Sequence, residues 1–374
     1  MTDEVERRKI EHVSVALAQD VSAIQRANWN DIHFVHQALP EVDLDEIDTS
    51  VTFLGHKLRY PIFMSSLTGG HADVTAINRN LARAAERYGL ALGVGSQRAA
   101  IVNPDLAPSY AVVREYAPTA LLIANIGAPQ LIAQARHAAF TIEQVQQAID
   151  MIRADALAVH MNSLQEAAQA EGDRRTVGEA AALKELARNI ALPIIAKETG
   201  AGVCREQALL LRACGVSAID VGGAGGSSMS VMEAARSRNH GDDRTMNIGL
   251  LYSDWGIATP IAVVEACAAE LPLIATGGVR SGLDVARALA LGAALVGIGH
   301  PFLKAASESY EAVCELLESV ITVLKVAMQL SGARDIAAMR RAAVVVTGET
   351  GAWLMLRGFE EELKAMARRR ISGS

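Results

Sequence analysis

Cysteine is scarce in this chain. Only four occur in 374 residues, at Cys204, Cys214, Cys267 and Cys314. They are too widely spaced for CxxC pairs, which argues against a clustered zinc site and a disulfide framework and fits a reduced, cytoplasmic protein. Basic blocks are missing ahead of the three arginines at 368–370, and 35 Lys and Arg against 42 Asp and Glu give a net charge of −7. A chain without a cationic face has little with which to neutralise phosphates along a strand, so nucleic acid is not an expected partner. Long apolar runs are missing too: no 18-residue stretch is both apolar and free of charge, and the first residues, MTDEVERRKI, are charged. Neither a membrane span nor a signal peptide is expected. What is present is 51% hydrophobic residues, enough for one large α/β barrel or two ordinary domains.

The stretch from Leu271 to Leu303 organises the rest. It reads as a short apolar strand, a Gly277-Gly278 turn, an amphipathic helix of about fourteen residues from Ser281, a second strand and another glycine, Gly299. Two glycine turns at the carboxyl ends of neighbouring parallel strands let backbone N–H groups converge on one anion, as after strands 7 and 8 of a (β/α)8 barrel. Six more strands precede it, at Ile62 to Ser65, Ala91 to Val94, Leu121 to Ala124, Ala156 to His160, Ile194 to Ala196 and Ala218 to Val221, separated by segments mostly amphipathic at helical spacing. Eight strand–helix repeats predict a (β/α)8 TIM barrel over 61–305, with an N-terminal extension (1–60) capping one end and C-terminal helices (306–374). Longer insertions after strands 4 and 6 are expected to rise over the active-site face.

The residues just past each strand are polar or glycine throughout. They include Ser66-Leu67-Thr68, Ser96-Gln97-Arg98, Asn125, then His160, Asn162, Gln165 and Glu166, Lys197-Glu198, and the run Gly222 to Ser228. Serine and asparagine there often only cap the next helix. Lys197 differs, because a cation ending a hydrophobic strand needs a carboxylate or ligand oxygens. A phosphate at strands 7 and 8 and hydrogen-bonders elsewhere fit a flavin mononucleotide. Its ring edge would meet Ser66 to Thr68, Ser96 and Asn125, with Lys197 near N1 and O2.

SLTGG, GSQR, NIGA, HMNSLQE, GDR, KETGAG, GAGGSS, DWGIAT and TGGVRSG, together with RKIEH at 8–12, closely resemble the type 2 isopentenyl diphosphate isomerases. The resemblance covers nearly the whole chain. It implies reversible conversion of isopentenyl diphosphate into dimethylallyl diphosphate for isoprenoid biosynthesis, with reduced FMN, NADPH as reductant and Mg²⁺, in a homo-oligomer (tetramer or octamer). It also implies that Arg8, Lys9, His12, Ser96, Gln97 and Arg98 hold the diphosphate, that Asn162 and Gln165 face the substrate, and that Glu166 holds Mg²⁺. Ser66, Leu67, Thr68, Ser96, Asn125, Lys197 and Ser227 would hold flavin, with Gly277, Gly278, Arg280, Gly299 and His300 about its phosphate. Gln165, His160 and Lys197 are the candidates for catalysis, Gln165 first as a positioning group because an amide is a poor acid or base. Leu67 and Ser227 stand where the family often has Met and Thr, and Gly299-His300 is a variable pair.

Two rivals carry sequence signals. RNHGDDR (238–244) resembles the His-Gly-x-x-Arg turn of FMN oxidases of 2-hydroxy acids, but lies inside the second insertion instead of directly after strand 6. A nucleotide dehydrogenase on this barrel would need a nucleophilic cysteine after strand 6, and none occurs between Gly215 and Ala266. A flavin-binding protein without turnover would not need Arg8, Lys9, Arg98, Gln165 and Glu166.

Overall fold

The computed structural model describes residues 11–23 and 27–369. Eight parallel strands close into a barrel: β1 (Ile62–Met64), β2 (Ala91–Gly93), β3 (Leu121–Gly127), β4 (Ala156–Met161), β5 (Ile194–Glu198), β6 (Ala218–Asp220), β7 (Leu273–Thr276) and β8 (Leu295–Ile298). Each strand pairs with the next, and Val296 opposite Ile62 closes the ring. All eight expected strands are present. β3 runs on to Gly127 and β5 to Glu198, so Asn125 and Lys197 sit within strands instead of just past them. The helix expected to span about fourteen residues from Ser281 is shorter, Gly282–Ala290, because the chain turns at Gly292, whose φ is +117°.

Phe63, Ile123, Ile195, Ile274 and Leu295 fill the barrel interior and are almost wholly buried. The antiparallel hairpin Val51–Phe53/His56–Leu58 adds Phe53 and Leu58 to this layer. Because the chain passes from the hairpin directly into β1, the hairpin sits at the strands' N-terminal end and leaves the opposite end for ligands. Phe53→Ala is expected to cost about 3–5 kcal/mol. Urea unfolding measures this, and ligand affinity should be unchanged.

The surrounding helices follow their apolar spacing: in Thr75–Tyr88, Ile77, Leu81, Ala84, Ala85 and Tyr88 form the buried stripe. The C-terminal region is not helical throughout, as the sequence had suggested. Val344–Val346 pairs antiparallel with Ile32–Phe34 and ties the tail to the N-terminal extension. Among the described residues, no helix is long and apolar enough to cross a membrane.

Candidate active site

The C-terminal ends of the strands surround a cavity of about 570 Å³, within the range of small-molecule sites. Ser66, Leu67, Ser96, Arg98, Asn125, His160, Asn162, Gln165, Glu166, Lys197, Ser227, Gly277, Gly278, Arg280, Gly299 and His300 all reach it. So does His12, from the helical residues 11–18. Arg8 and Lys9 lie outside the described residues. The N-terminal extension forms part of the cavity's roof. The Ser22 and Ser227 backbones bridge antiparallel; Ala23 N–H donates to Gly226 O (2.8 Å) and Ser228 N–H to Val21 O (2.8 Å). His300 Nε2 pairs with the carbonyl oxygen of Ala16 at 2.8 Å.

At the β7–β8 side, Gly277 and Gly278 have φ of +119° and +64°, and a Cβ on Gly226 would lie 2.7 Å from Gly278 N. These close approaches admit only glycine and bring backbone to the cavity wall. Gly299 caps the nine-residue helix His300–Glu308, whose first turn meets the same space. Glycine backbone, a helix N-terminus and a guanidinium suit a phosphate. Arg280 also reaches this space. Its N–H already donates to Asp284 Oδ2 (3.1 Å), beside the Ser281 cap, so its side chain rather than its backbone is left for a ligand.

Next to this end, past β1, the hydroxyls of Ser65 and Ser66 are buried without a hydrogen-bond partner among the described residues. Unpaired buried polar atoms are costly, and a ring rich in donors and acceptors would satisfy them. The cradle therefore fits FMN. Ser65 was not singled out from sequence; its signal was the Ser65-Ser66 pair at the end of an apolar strand. Asn125 Oδ1 meets His160 Nδ1 at 2.9 Å, which orients the ring of His160. Lys197 Nζ donates to Glu198 O (3.0 Å) and lies 3.4 Å from Asp220 Oδ2.

Two expected contacts are not made at the cavity. Gln97 is fully buried away from it: its Nε2 donates to Ala148 O (2.7 Å), and its Oε1 accepts from Asn125 N–H (2.9 Å). Thr68 is also off the cavity wall, its carbonyl accepting from Gly95 N–H (2.9 Å) to join two loops. Both brace the site instead of lining it.

The polar wall stands on the helix Ser163–Ala168. Glu166 Oε1 accepts from Asn162 Nδ2 (2.8 Å), and Oε2 from Gln169 and from Asp173 N–H (2.7 Å). Asn162 Oδ1, beside it, is buried and, among the described residues, unpartnered. Among the described residues no three His, Cys, Asp or Glu side chains gather as a metal cluster. A carboxylate beside an unpaired amide oxygen, Glu166 with Asn162, suits a Mg²⁺ that draws its other ligands from substrate phosphate and water. Burial, then the negative charge of Glu166, push Glu179 up to about 7.

Behind this wall is a residue missed from sequence. Glu233, 1% exposed, accepts from Gln165 Nε2 (2.9 Å) and Arg236 and meets His12 Nε2 (2.8 Å). Burial alone would raise its pKa; the hydrogen bond and charge of His12, then Arg236 and Gln165, outweigh burial and hold it down at about 2. Arg98 is fixed likewise, by Asp173 Oδ2 at 2.6 Å. Burial favours the neutral acid at Asp173, but His137 and Arg98 keep it below the usual carboxylate range. The RNHGDDR turn takes no part: His240 caps the helix Met229–Asn239, pairs with Glu11 at 3.1 Å and does not line the cavity.

The chain matches the family model for FMN-dependent dehydrogenases over residues 2–104 and 122–346. An isopentenyl-diphosphate delta-isomerase of Methanothermobacter thermautotrophicus is 44% identical over 363 residues, 97% of this chain and 99% of the relative. Another, of Thermococcus onnurineus, is 46% identical over 352 residues, 93% of each. Among solved structures, a lactate oxidase of Pediococcus acidilactici aligns over 93% of this chain and 94% of its own, with a TM-score of 0.66 and 16% identity. A mandelate oxidase mutant with an FMN adduct aligns over 92% of this chain and 96% of its own, with a TM-score of 0.60 and 17% identity. At that identity the likeness concerns the barrel alone.

Proposed function

Because the chain belongs to the isopentenyl-diphosphate delta-isomerases and to the FMN-dependent dehydrogenase family, we propose that it interconverts isopentenyl and dimethylallyl diphosphate using reduced FMN and Mg²⁺. NADPH is the proposed reductant. The observation that carries this reading is one cavity with glycine turns on one side and the Asn162, Gln165, Glu166 wall on another. The first suits a flavin phosphate, and the second suits a metal-bound diphosphate.

Moving the double bond requires a proton added at the terminal methylene and one removed from the allylic carbon. Reduced FMN, when bound, would supply negative charge to offset the developing tertiary cation and a group able to exchange a proton. Arg98, fixed by Asp173, and His12 would hold the diphosphate, together with the cations Arg8 and Lys9. Glu166 and Asn162 would hold Mg²⁺ against it. Gln165 is fixed at both ends of its amide, donating to Glu233 and accepting from Asn162 Nδ2 at 3.2 Å. It would orient the hydrocarbon, and Glu233, kept ionised, would hold its amide in place from behind. The roof formed by the N-terminal extension limits water beside the cation.

Glu166→Gln separates an isomerase from a flavin-binding protein without turnover. About a hundredfold more Mg²⁺ should be needed for half-maximal activity, with FMN content unchanged. Equal Mg²⁺ dependence in the two proteins would remove Glu166 from the metal site.

A further inference from the structure

We propose that Asp220 is a positioning residue that offsets the charge of Lys197 and thereby holds low the reduction potential of a flavin bound above the pair. The inference rests on FMN occupying the cavity as read above. Lys197 and Asp220 are register partners on β5 and β6, and in-register neighbours of a barrel point to the same face. Asp220 is 1% exposed in a strand that is otherwise apolar. The Thr276 hydroxyl donates to its Oδ1 and fixes the carboxylate plane. Oδ2 faces Lys197 Nζ at 3.4 Å and is without a hydrogen-bond partner among the described residues.

An acid at this depth with one oxygen unsatisfied is unfavourable unless it serves another group. The neighbours leave that work to Asp220. His160, the partner of Lys197 on β4, has its ring bonded to Asn125. Glu198 turns its Oε2 to the N–H groups of Gly200, Ala201 and Gly202, at 2.6, 2.6 and 3.0 Å. Lys197 reaches the cavity and Asp220 does not, so the lysine meets the ligand while the aspartate acts through it. A cation beside the ring favours the negatively charged reduced flavin. An anion next to that cation cancels much of the effect, leaving the pair close to neutral.

The sign of the test follows from charge alone. Asp220→Asn leaves the lysine uncompensated and should raise the midpoint potential of bound FMN. A tenfold gain in affinity for reduced over oxidised FMN corresponds to about 30 mV for the two-electron couple. Lys197→Met leaves the aspartate and should lower the potential, and Lys197→Met/Asp220→Asn should return it to the wild-type value. Spectroelectrochemical titration of the FMN-loaded proteins reads all three. An Asp220→Asn potential at or below wild type overturns the inference, because a carboxylate that merely props the lysine in place would give that result. If Asp220→Asn alone does not fold, the double variant, which has no unpaired charge, decides. A wild-type potential supports the proposal; a low potential, or loss of folding or of FMN, overturns it. If Lys197→Met holds FMN at an unchanged potential, the lysine does not act on the ring and the inference falls; if the wild-type protein takes up no FMN, the flavin reading of the site falls instead.

Discussion

Replacing Glu233 with glutamine is expected to reduce kcat by about two orders of magnitude through misplacement of Gln165 and to destabilise the protein by about 3–5 kcal/mol. One carboxylate serves three partners from different elements: His12 on the N-terminal segment, Gln165 on the substrate wall and Arg236 on its own helix. The amide keeps the shape but loses the charge, leaving the buried guanidinium of Arg236, among the described residues, with Glu11 and Glu171. Gln165 could then rotate. The same group gives a stability change with pH. Its folded pKa, about 2, lies below the ordinary glutamate value of 4.5. Its contribution, about 3 kcal/mol, is therefore present above pH 4.5 and is lost as pH falls from there to 2. Urea unfolding at pH 7 and pH 3 should show this loss in the wild type and its absence in Glu233→Gln. Parallel pH dependence in the two proteins would mean that Glu233 is not the ionised hub.

Gly278→Ala should give a protein that no longer retains FMN. At φ +64° an alanine carries left-handed strain of about 1–2 kcal/mol, and its Cβ would lie 2.5 Å from both Ala27 Cβ and Gly225 O. Neither neighbour can give way without shifting the β6 loop or the N-terminal extension. The turn expected to hold the phosphate would open, and FMN affinity should fall at least a hundredfold. Gly55→Ala is the control. Its φ is +84° and nothing lies within 4 Å of the new Cβ, so it pays the strain without the collision and should bind FMN normally. Equal FMN content in the two variants would take the phosphate away from the β7 turn.

The barrel was readable because its signal is local: short apolar runs, a polar or glycine residue at each end, and helices with one apolar stripe. The Ile32–Phe34/Val344–Val346 pair was not, since three-residue strands some 310 residues apart leave no period to detect. Much of the site's first layer was likewise visible as residues next to strand ends. Gln97 misled because polarity does not say which way a residue faces; its neighbours Ser96 and Arg98 reach the cavity while Gln97 ties β3 to the helix behind it. The bracing carboxylates were hidden for a related reason. Glu233 works through His12, 221 residues away, and Asp173 through Arg98, 75 residues away. Asp220 alone left a trace, an acid in an otherwise apolar strand.

The most direct measurement is an anaerobic incubation of the purified protein with isopentenyl diphosphate, Mg²⁺, FMN and NADPH in D₂O, followed by NMR. The account predicts dimethylallyl diphosphate and deuterium entering the substrate only when the flavin is reduced. A yellow protein that holds FMN, is reduced, and leaves isopentenyl diphosphate unlabelled and unconverted would contradict it.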